Sequence, residues 1–210
     1  MKRLLCLLAG WTLAALAFAQ TPAQIVTRME KMVEDREKEG VLVTVETKVP
    51  IVGSITVKEY SLGDKSRSEC RIMGMDEIVW TDGVTEWTYI SKNNKVTIKN
   101  AAESDAPQGG EEDMFSGLAD GYDVTLKSET PEAWHLVCKK SADNTDKDAP
   151  KTIDLSVSKK DYRPLLLKTR MSGVTLTLRE ISFGVSEEFV TFRLSDYPGA
   201  TVEDKRSQTK

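Results

Sequence analysis

Few side chains in this 210-residue chain are placed to carry acid–base or nucleophilic chemistry. The one histidine, His135, alternates with Trp134 and Leu136, which predicts that it lies on the polar face of a strand. No Gly-x-Ser-x-Gly turn is present to expose a serine nucleophile beside such a base. Paired carboxylates could still meet in space and act on a glycoside. A hydrolase therefore stays open, as the weakest of the hypotheses.

Motifs for metals and cofactors are missing as well. The chain has no Cys-x-x-Cys pair, no cluster of histidines and no glycine-rich phosphate loop. Asp143, Asp146 and Asp148 offer carboxylates, but without the spacing and the glycine of an EF-hand. A solvated loop is the expected structure there. We predict a protein that is not an enzyme and that uses no cofactor and no metal.

The first residues predict export. Lys2 and Arg3 precede an apolar run, residues 4–16, and an Ala-Phe-Ala site ends at Ala19. These are the three parts of a cleavable secretion signal, so we expect residues 1–19 to be a signal peptide and residues 20–210 to be one domain. Gln20 stands where a lipoprotein would carry its lipidated cysteine. The expected product is a soluble protein outside the cytoplasm.

Charge and cysteine content add limits to this picture. The formal net charge of −4 is spread along the chain and provides no basic surface for nucleic acid. Two cysteines follow the predicted cleavage site, Cys70 and Cys138. An oxidising compartment permits a disulfide between them, but buried free thiols fit the apolar neighbours equally well. The sequence leaves the two alternatives open.

Two segments show helical patterns. Thr21-Pro22 is a capping pair, the apolar residues that follow recur at helical spacing, and Gly40 ends the pattern. The apolar stripe of this helix includes Met29 and Met32. A second, short helix is predicted over residues 112–119, after a polar loop at residues 101–111 that contains Pro and Gly.

The rest of the chain alternates between apolar and polar residues, with turns between the segments. Ten or eleven strands with one apolar face are predicted, the last clear one around residues 190–194, before a charged tail from Glu203. Short connections require antiparallel pairing. A sheet of this size curls or splits. Two architectures fit, a β-sandwich and a curled half-barrel with the two helices as a lid.

Three segments resemble the periplasmic outer-membrane lipoprotein carriers, the LolA-type family. Residues 79–89, Val-Trp-Thr-Asp-Gly-Val-Thr-Glu-Trp-Thr-Tyr, with Lys-Val-Thr-Ile at 95–98, resemble its D-G-x-x-x-W-x-Y hairpin. Residues 113–118, Asp-Met-Phe-Ser-Gly-Leu, fall where that family has a short helix. Residues 165–202 close with Phe192, Pro198, Gly199 and Val202, similar to its F-x-x-x-x-P-x-G-x-x-V ending. The three segments occur in the family's order over most of the chain.

The resemblance implies a mainly β, α+β fold. A single curled antiparallel sheet forms an open half-barrel, with the N-terminal helix and the short second helix as a lid over an apolar cavity. The family's Arg-Pro after the second strand is Glu59-Tyr60 here. Its arginine is linked to cargo transfer, and that role cannot be carried over. Arg67 and Arg71 lie nearby without matching the motif.

The function that the resemblance implies is that of a monomeric periplasmic carrier. It would hold the acyl chains of lipoproteins and take them from an inner-membrane releasing transporter to an outer-membrane acceptor. The alternative is a binding module on the same fold that senses lipid or envelope stress. We expect a lid held by Met and Leu contacts without charged partners. The candidate ligand-binding residues, which would equally suit a sandwich core, are Met29, Met32, Ile78, Trp80, Trp87, Tyr89, Phe115, Leu118, Leu167, Met171 and Leu176.

Overall fold

The fold is taken from a computed structural model that describes residues 20–50, 53–103 and 115–206. The predicted signal peptide, residues 1–19, lies outside the described residues. So does most of the polar loop at residues 101–111. No helix within the described ranges is long and apolar enough to cross a membrane.

The N-terminal helix α1, Pro22–Arg36, forms where the sequence predicts it. Thr21 accepts a hydrogen bond from the backbone N–H of Gln24, and the Gln24 side chain accepts one from the N–H of Thr21. This capping box satisfies two backbone donors at the start of the helix. A short 3₁₀ turn, Glu37–Glu39, follows, and Gly40 redirects the chain into the sheet at φ +76°.

Twelve strands within the described ranges form one sheet. Their bounds are β1 Val41–Val49, β2 Gly53–Leu62, β3 Lys65–Ile72, β4 Met75–Thr81, β5 Thr85–Ile90, β6 Lys95–Asn100, β7 Tyr122–Glu129, β8 Ala133–Lys140, β9 Thr152–Ser158, β10 Pro164–Met171, β11 Val174–Phe183 and β12 Thr201–Asp204. The spatial order is β12-β6-β5-β4-β3-β2-β1-β11-β10-β9-β8-β7. The sheet is curled and unclosed, which confirms the predicted open half-barrel and excludes the sandwich.

Three local predictions need correction. Residues 112–114 of the predicted second helix lie outside the described residues, and the helix within the described part, α2, is the single turn Leu118–Gly121. The residues around Phe192 are not a strand. They belong to an irregular segment, residues 184–200, which we call the strap. The last strand is β12, which pairs parallel with β6 although the other ladders are antiparallel. Alternation over five residues also occurs in an irregular segment, so periodicity alone could not distinguish a strand from such a segment at residues 190–194.

The apolar surface of the sheet changes sides along the strand order. Val43, Leu155 and Leu178 point toward α1, on a side that we call the helix face. The cross-strand row from Tyr60 through Arg67 and Trp80 to Trp87 and Ile98 points the other way, because it includes Leu42, the neighbour of Val43. This opposite side, which the strap covers, is the strap face. The sheet therefore has two apolar surfaces on opposite sides, where the sequence predicted one.

Gly40 is the joint between α1 and the sheet. A Cβ atom at this position would lie 2.6 Å from the carbonyl oxygen of Ser61 and 2.9 Å from Cβ of Val185. We expect Gly40→Ala to lower the free energy of unfolding by about 3 kcal/mol, because strain and overlap add. Urea unfolding measures the change.

Gly63→Ala is the matched control. Gly63 has φ +57°, but a Cβ atom at this position would have no neighbouring atom within 4 Å, so about 1 kcal/mol of conformational strain alone is expected. Equal losses in the two variants would contradict the importance of the close approach at Gly40.

Candidate functional site

The eleven candidate residues do not line one surface. Seven belong to the helix face or its cover: Met29, Met32, Phe115, Leu118, Leu167, Met171 and Leu176. Four belong to the strap face: Ile78, Trp80, Trp87 and Tyr89. The structure therefore brings each group together but separates the two by the thickness of the sheet. A ligand-binding role for any of them stays a prediction.

On the helix face, α1 and the segment around α2 form a cover over β1 and β7 to β11. Met29 of α1 is fully buried, and Phe115 and Leu118 are buried beside it. They pack in one cluster with sheet residues such as Leu136 and Leu167. Each such side chain contributes roughly 1.5–3 kcal/mol by leaving water. The cover is closed in this structure, and its own side chains occupy the apolar face.

A charged side chain holds the two parts of the cover together. Glu30 of α1 accepts hydrogen bonds from the backbone N–H groups of Leu118, at 2.6 Å, and Ala119, at 3.1 Å. Burial raises the pKa of the Glu30 carboxyl, although both hydrogen bonds favour its charged form, and Asp120 raises it further. The expectation of a lid without charged partners is wrong at this point, since spacing along α1 could not show what Glu30 meets.

A second polar contact joins α1 to the turn between β9 and β10. Arg28 donates to the hydroxyl of Tyr162 at 2.7 Å, and Gln20 hydrogen-bonds the same hydroxyl. These bonds lower the pKa of Tyr162, with Gln20 as the larger cause. Tyr162 also stacks on Trp134, with ring centroids 5.5 Å apart. The helix α1 is thus held by polar contacts of Arg28 and Glu30 as well as by its buried aliphatic side chains.

The helix face becomes more polar from β2 onward, although Val57 and Val79 also point to it. Glu59 lies next to Val43 across the ladder, and Ser68 follows on β3. Burial raises the pKa of the Glu59 carboxyl. In the next cross-strand row stand Cys70 and Glu77. An apolar ligand on the helix face therefore has its natural place over β1 and β7 to β11, not over β2 to β6.

Both cysteines of the described residues are free thiols on the helix face. Cys70 is on β3 and Cys138 is on β8, with five strands of the sheet between them. Burial raises the pKa of the Cys138 thiol to about 11, so it stays protonated near neutral pH. Of the two alternatives left open by the sequence, the structure has the free thiols.

The strap holds the aromatic side of the sheet. Phe192 stacks on Trp87 at 5.5 Å between ring centroids and meets the edge of Trp80 at 5.4 Å. Tyr197 packs on Tyr89 at 4.3 Å. Aromatic pairs of this kind stabilise by about 0.5–1.5 kcal/mol beyond the area that they bury. One aromatic cluster is thus formed by five rings, those of Trp80, Trp87, Tyr89, Phe192 and Tyr197.

Arg67 lies where the strap leaves a cavity. Its guanidinium stands over the rings of Phe189, at 4.3 Å, and Trp80, at 5.2 Å, and pairs with Glu69 at 2.5 Å. A cavity of about 270 Å³ opens beside it, lined also by Arg193. A second cavity of about 250 Å³, with Phe189 in its wall, is lined by apolar residues such as Leu42 and Phe183. Sequence reasoning assigned no role to Arg67, whose only signal was its proximity to the family's arginine position.

The sequence prediction also missed Tyr60, Phe189 and Tyr197. Phe189 packs on Tyr60, with ring centroids 4.6 Å apart, at the start of the strap. The available signal was the recurrence of aromatic residues in a segment with Pro198 and Gly199, which is unusual for a solvated loop. Which strands those rings would meet depended on the path of the strap.

His135 lies on the strap face of β8, as its alternation predicted. Its Nδ1 is 2.9 Å from Oγ of Ser156 on β9. Neither residue lines the two cavities beneath the strap. Within the described ranges, no group of three or more His, Cys, Asp or Glu residues could hold a metal ion.

The contact at Glu30 generates a pH prediction. A raised pKa in the closed cover means that the closed state gains stability below the ordinary value of 4.5 and loses it as the pH rises through the raised value. We expect the amides of Leu118 and Ala119 to be better protected from hydrogen exchange at about pH 4 than at about pH 7. Glu30→Gln keeps an acceptor without the charge and should remove this pH dependence.

Glu30→Ala is the companion variant, and it should reduce protection of both amides at every pH because the acceptor is gone. An unchanged pH dependence in Glu30→Gln would contradict the assignment of the effect to this carboxyl.

The aromatic cluster generates a second prediction. Phe192→Ala removes the ring that touches Trp80 and Trp87, and we expect a loss of about 2 kcal/mol, since the residue is half-buried. Tryptophan emission should shift to the red as the indoles meet water. Leu194→Ala, in the same strap but about half exposed, should change stability by less than about 0.5 kcal/mol. A similar red shift in both variants would contradict the packing described.

Comparison with known proteins shows the fold but not the family. No protein-family model matches the chain, and no curated protein matches its sequence. Among solved structures, LprF from Mycobacterium bovis is similar with 12% identity, 79% of this chain and 93% of that chain covered, and a TM-score of 0.52. A LolA superfamily protein from Nitrosomonas europaea is similar with 13% identity, 83% and 99% covered, and a TM-score of 0.34.

A third similar structure is the complex of MucA and MucB from Pseudomonas aeruginosa, with 14% identity and a TM-score of 0.41. Here 82% of this chain and 61% of that chain are covered, so the chain spans about three fifths of that neighbour. Identities this low are informative for the fold alone. The likeness to LprF supports an open curled sheet with a helical cover, which is the architecture that the resemblance of the three segments implies.

Proposed function

We propose that this protein is a periplasmic carrier for acylated proteins, which holds acyl chains on the helix face beneath the cover. One observation carries the proposal. The apolar face over β1 and β7 to β11 is closed by a separate part of the chain, with Met29, Phe115 and Leu118 in the place that an acyl chain would take. Replacing these side chains by a ligand would leave the sheet and its ladders intact.

The energetics of such an exchange are balanced. Each CH₂ group buried contributes about 0.8 kcal/mol, and aliphatic cover residues give up a comparable amount when they move aside. Exchange without a large net cost is what a carrier needs, because it must also release its cargo. The LolA-like fold supports this function. Transfer from an inner-membrane transporter to an outer-membrane acceptor is the part of the proposal that rests most on the resemblance.

The alternative function, a module that senses lipid or envelope stress, has its own supporting observation. In addition to the rings of Trp80 and Phe189, the cavity beside Arg67 and Arg193 is lined by charged and hydroxyl groups. Such groups suit a polar ligand or a polypeptide better than an acyl chain. Catalysis is not part of either proposal.

The decisive experiment compares the two faces. A fluorescent fatty acid is bound to the purified protein and displaced by a triacylated peptide. Phe115→Asp places a charge in the cover, and we expect it to weaken binding at least about tenfold, because an unpaired charge is costly to bury. Phe189→Asp, in the strap, is the matched control and should bind normally.

Circular dichroism and unfolding midpoints check that each variant is folded. If Phe115→Asp is unfolded, Met32→Glu, at a half-buried position of the cover, replaces it in the binding test. Loss of binding in Phe189→Asp alone would move the ligand to the strap face. No binding by the natural protein, together with no lipid recovered from it by mass spectrometry, would contradict the carrier function.

A further inference from the structure

Exposed apolar side chains gather at one end of the sheet. The turn between β3 and β4 carries Met73, which is 95% exposed, next to Ile72, which is 36% exposed. Met171, 39% exposed, ends β10 before the turn into β11. Isolated exposed apolar residues are common on protein surfaces, but these three lie on two hairpin tips at the same end of the sheet.

The two tips stand at the same height. Followed through β2, β1 and β11, the strand registers place Cys70 level with Leu167, so Met73, three residues further on, reaches about the level of Arg170, the residue before Met171. Only β2 and β1 separate β3 from β11, so the tips lie roughly 15 Å apart at ordinary strand spacing. A flat surface that touched both tips would also meet the turn between β1 and β2, which begins after Val49 at the same level.

The fold itself does not explain Met73. It has φ +52° and is followed by Gly74 at φ +81°, the pattern of a two-residue hairpin turn that favours Asn-Gly. A methionine in this left-handed conformation is strained, and its side chain packs on little, because almost all of it is in solvent. The hairpin would be more stable with asparagine, so the methionine points to a contact made outside the molecule.

Basic side chains stand directly behind the apolar ones. Arg71, with 73% of its side chain exposed, precedes Ile72, and its partner Asp76 is 3.5 Å away. Lys48 and Arg170 are exposed at the level of Met73. This arrangement is complementary to a lipid surface. The apolar tip would reach the acyl chains, while the basic side chains would stay at the level of the anionic headgroups.

We infer that this end of the sheet docks on an anionic lipid membrane, with Ile72, Met73 and Met171 inserted and Lys48, Arg71 and Arg170 at the headgroups. Exposed apolar residues on separate hairpin tips suit a fluid surface better than a protein partner, which needs a continuous, complementary patch. The opposite end differs. Its exposed Val84 stands alone beside Asp82 in a turn that faces Asp64.

The test is co-sedimentation of the purified protein with vesicles of phosphatidylethanolamine and phosphatidylglycerol at about 3:1. Met73→Asn suits the left-handed turn, so we expect it to keep or raise the unfolding midpoint while weakening vesicle binding about tenfold. Adding Met171→Asn should abolish binding. Val84→Asn, an equal change at the other end, is the matched control and should bind as the natural protein does.

Binding should also fall in vesicles of phosphatidylcholine alone and at high salt, because the headgroup charge is then missing or screened. No binding by the natural protein, or an equal loss in Val84→Asn, would overturn the inference. Formation of a dimer that Met73→Asn abolishes, seen by sedimentation velocity, would replace it by self-association. Fatty-acid binding by the Met73→Asn protein should be unchanged. The vesicle test can therefore contradict membrane docking without contradicting the carrier function, and the fatty-acid test can do the reverse.

Discussion

The alternation of side chains along each strand is the constraint on which this structure depends. In β1, Val43 points to the helix face and Leu42 to the strap face, so the start of this strand is apolar on both sides. On the strands from β11 to β7, the buried apolar residues point to the same face as Val43. On the strands from β2 to β6, they point to the same face as Leu42. One sheet must therefore be covered on both sides, and two separate segments of the chain do this.

The two covers differ in chemistry and attachment. The strap runs from β11 to β12, so it is tied to the sheet at both ends, and it packs through stacked and edge-on rings. The helix cover meets the sheet mainly through aliphatic side chains, together with Phe115 and the contact of Arg28 with Tyr162, and its two parts are joined by a carboxylate whose charged form burial disfavours. A strap of that kind suits a permanent part of the core. The proposed carrier function requires the helix cover to move.

The position of α2 connects the cover with the inferred membrane contact. α2 leads directly into β7, and the register through β8 and β9 places this start of β7 at the same end of the sheet as Met171. Docking on a bilayer would bring the edge of the cover close to the lipid. Opening there would let an acyl chain pass between membrane and protein with a short exposure to water, which is the costly step for an apolar cargo.

Local patterns in the sequence determined much of the fold. The capping pair at Thr21, the turn at Asp82-Gly83 and the alternation in β1 each depend on near neighbours, and all three are present as predicted. The resemblance of three segments added the open, curled form of the sheet, which alternation alone left undecided between a half-barrel and a sandwich.

Tertiary structure decided the rest. Trp80 and Leu167 both have the pattern of inward residues in apolar strands, but which side is inward depends on the cumulative register across β1, and no local window contains that information. The partners of Glu30 and Arg67 come from segments far away in the chain. The sequence by itself thus determines which residues must leave water, while the path of the chain decides which of them meet.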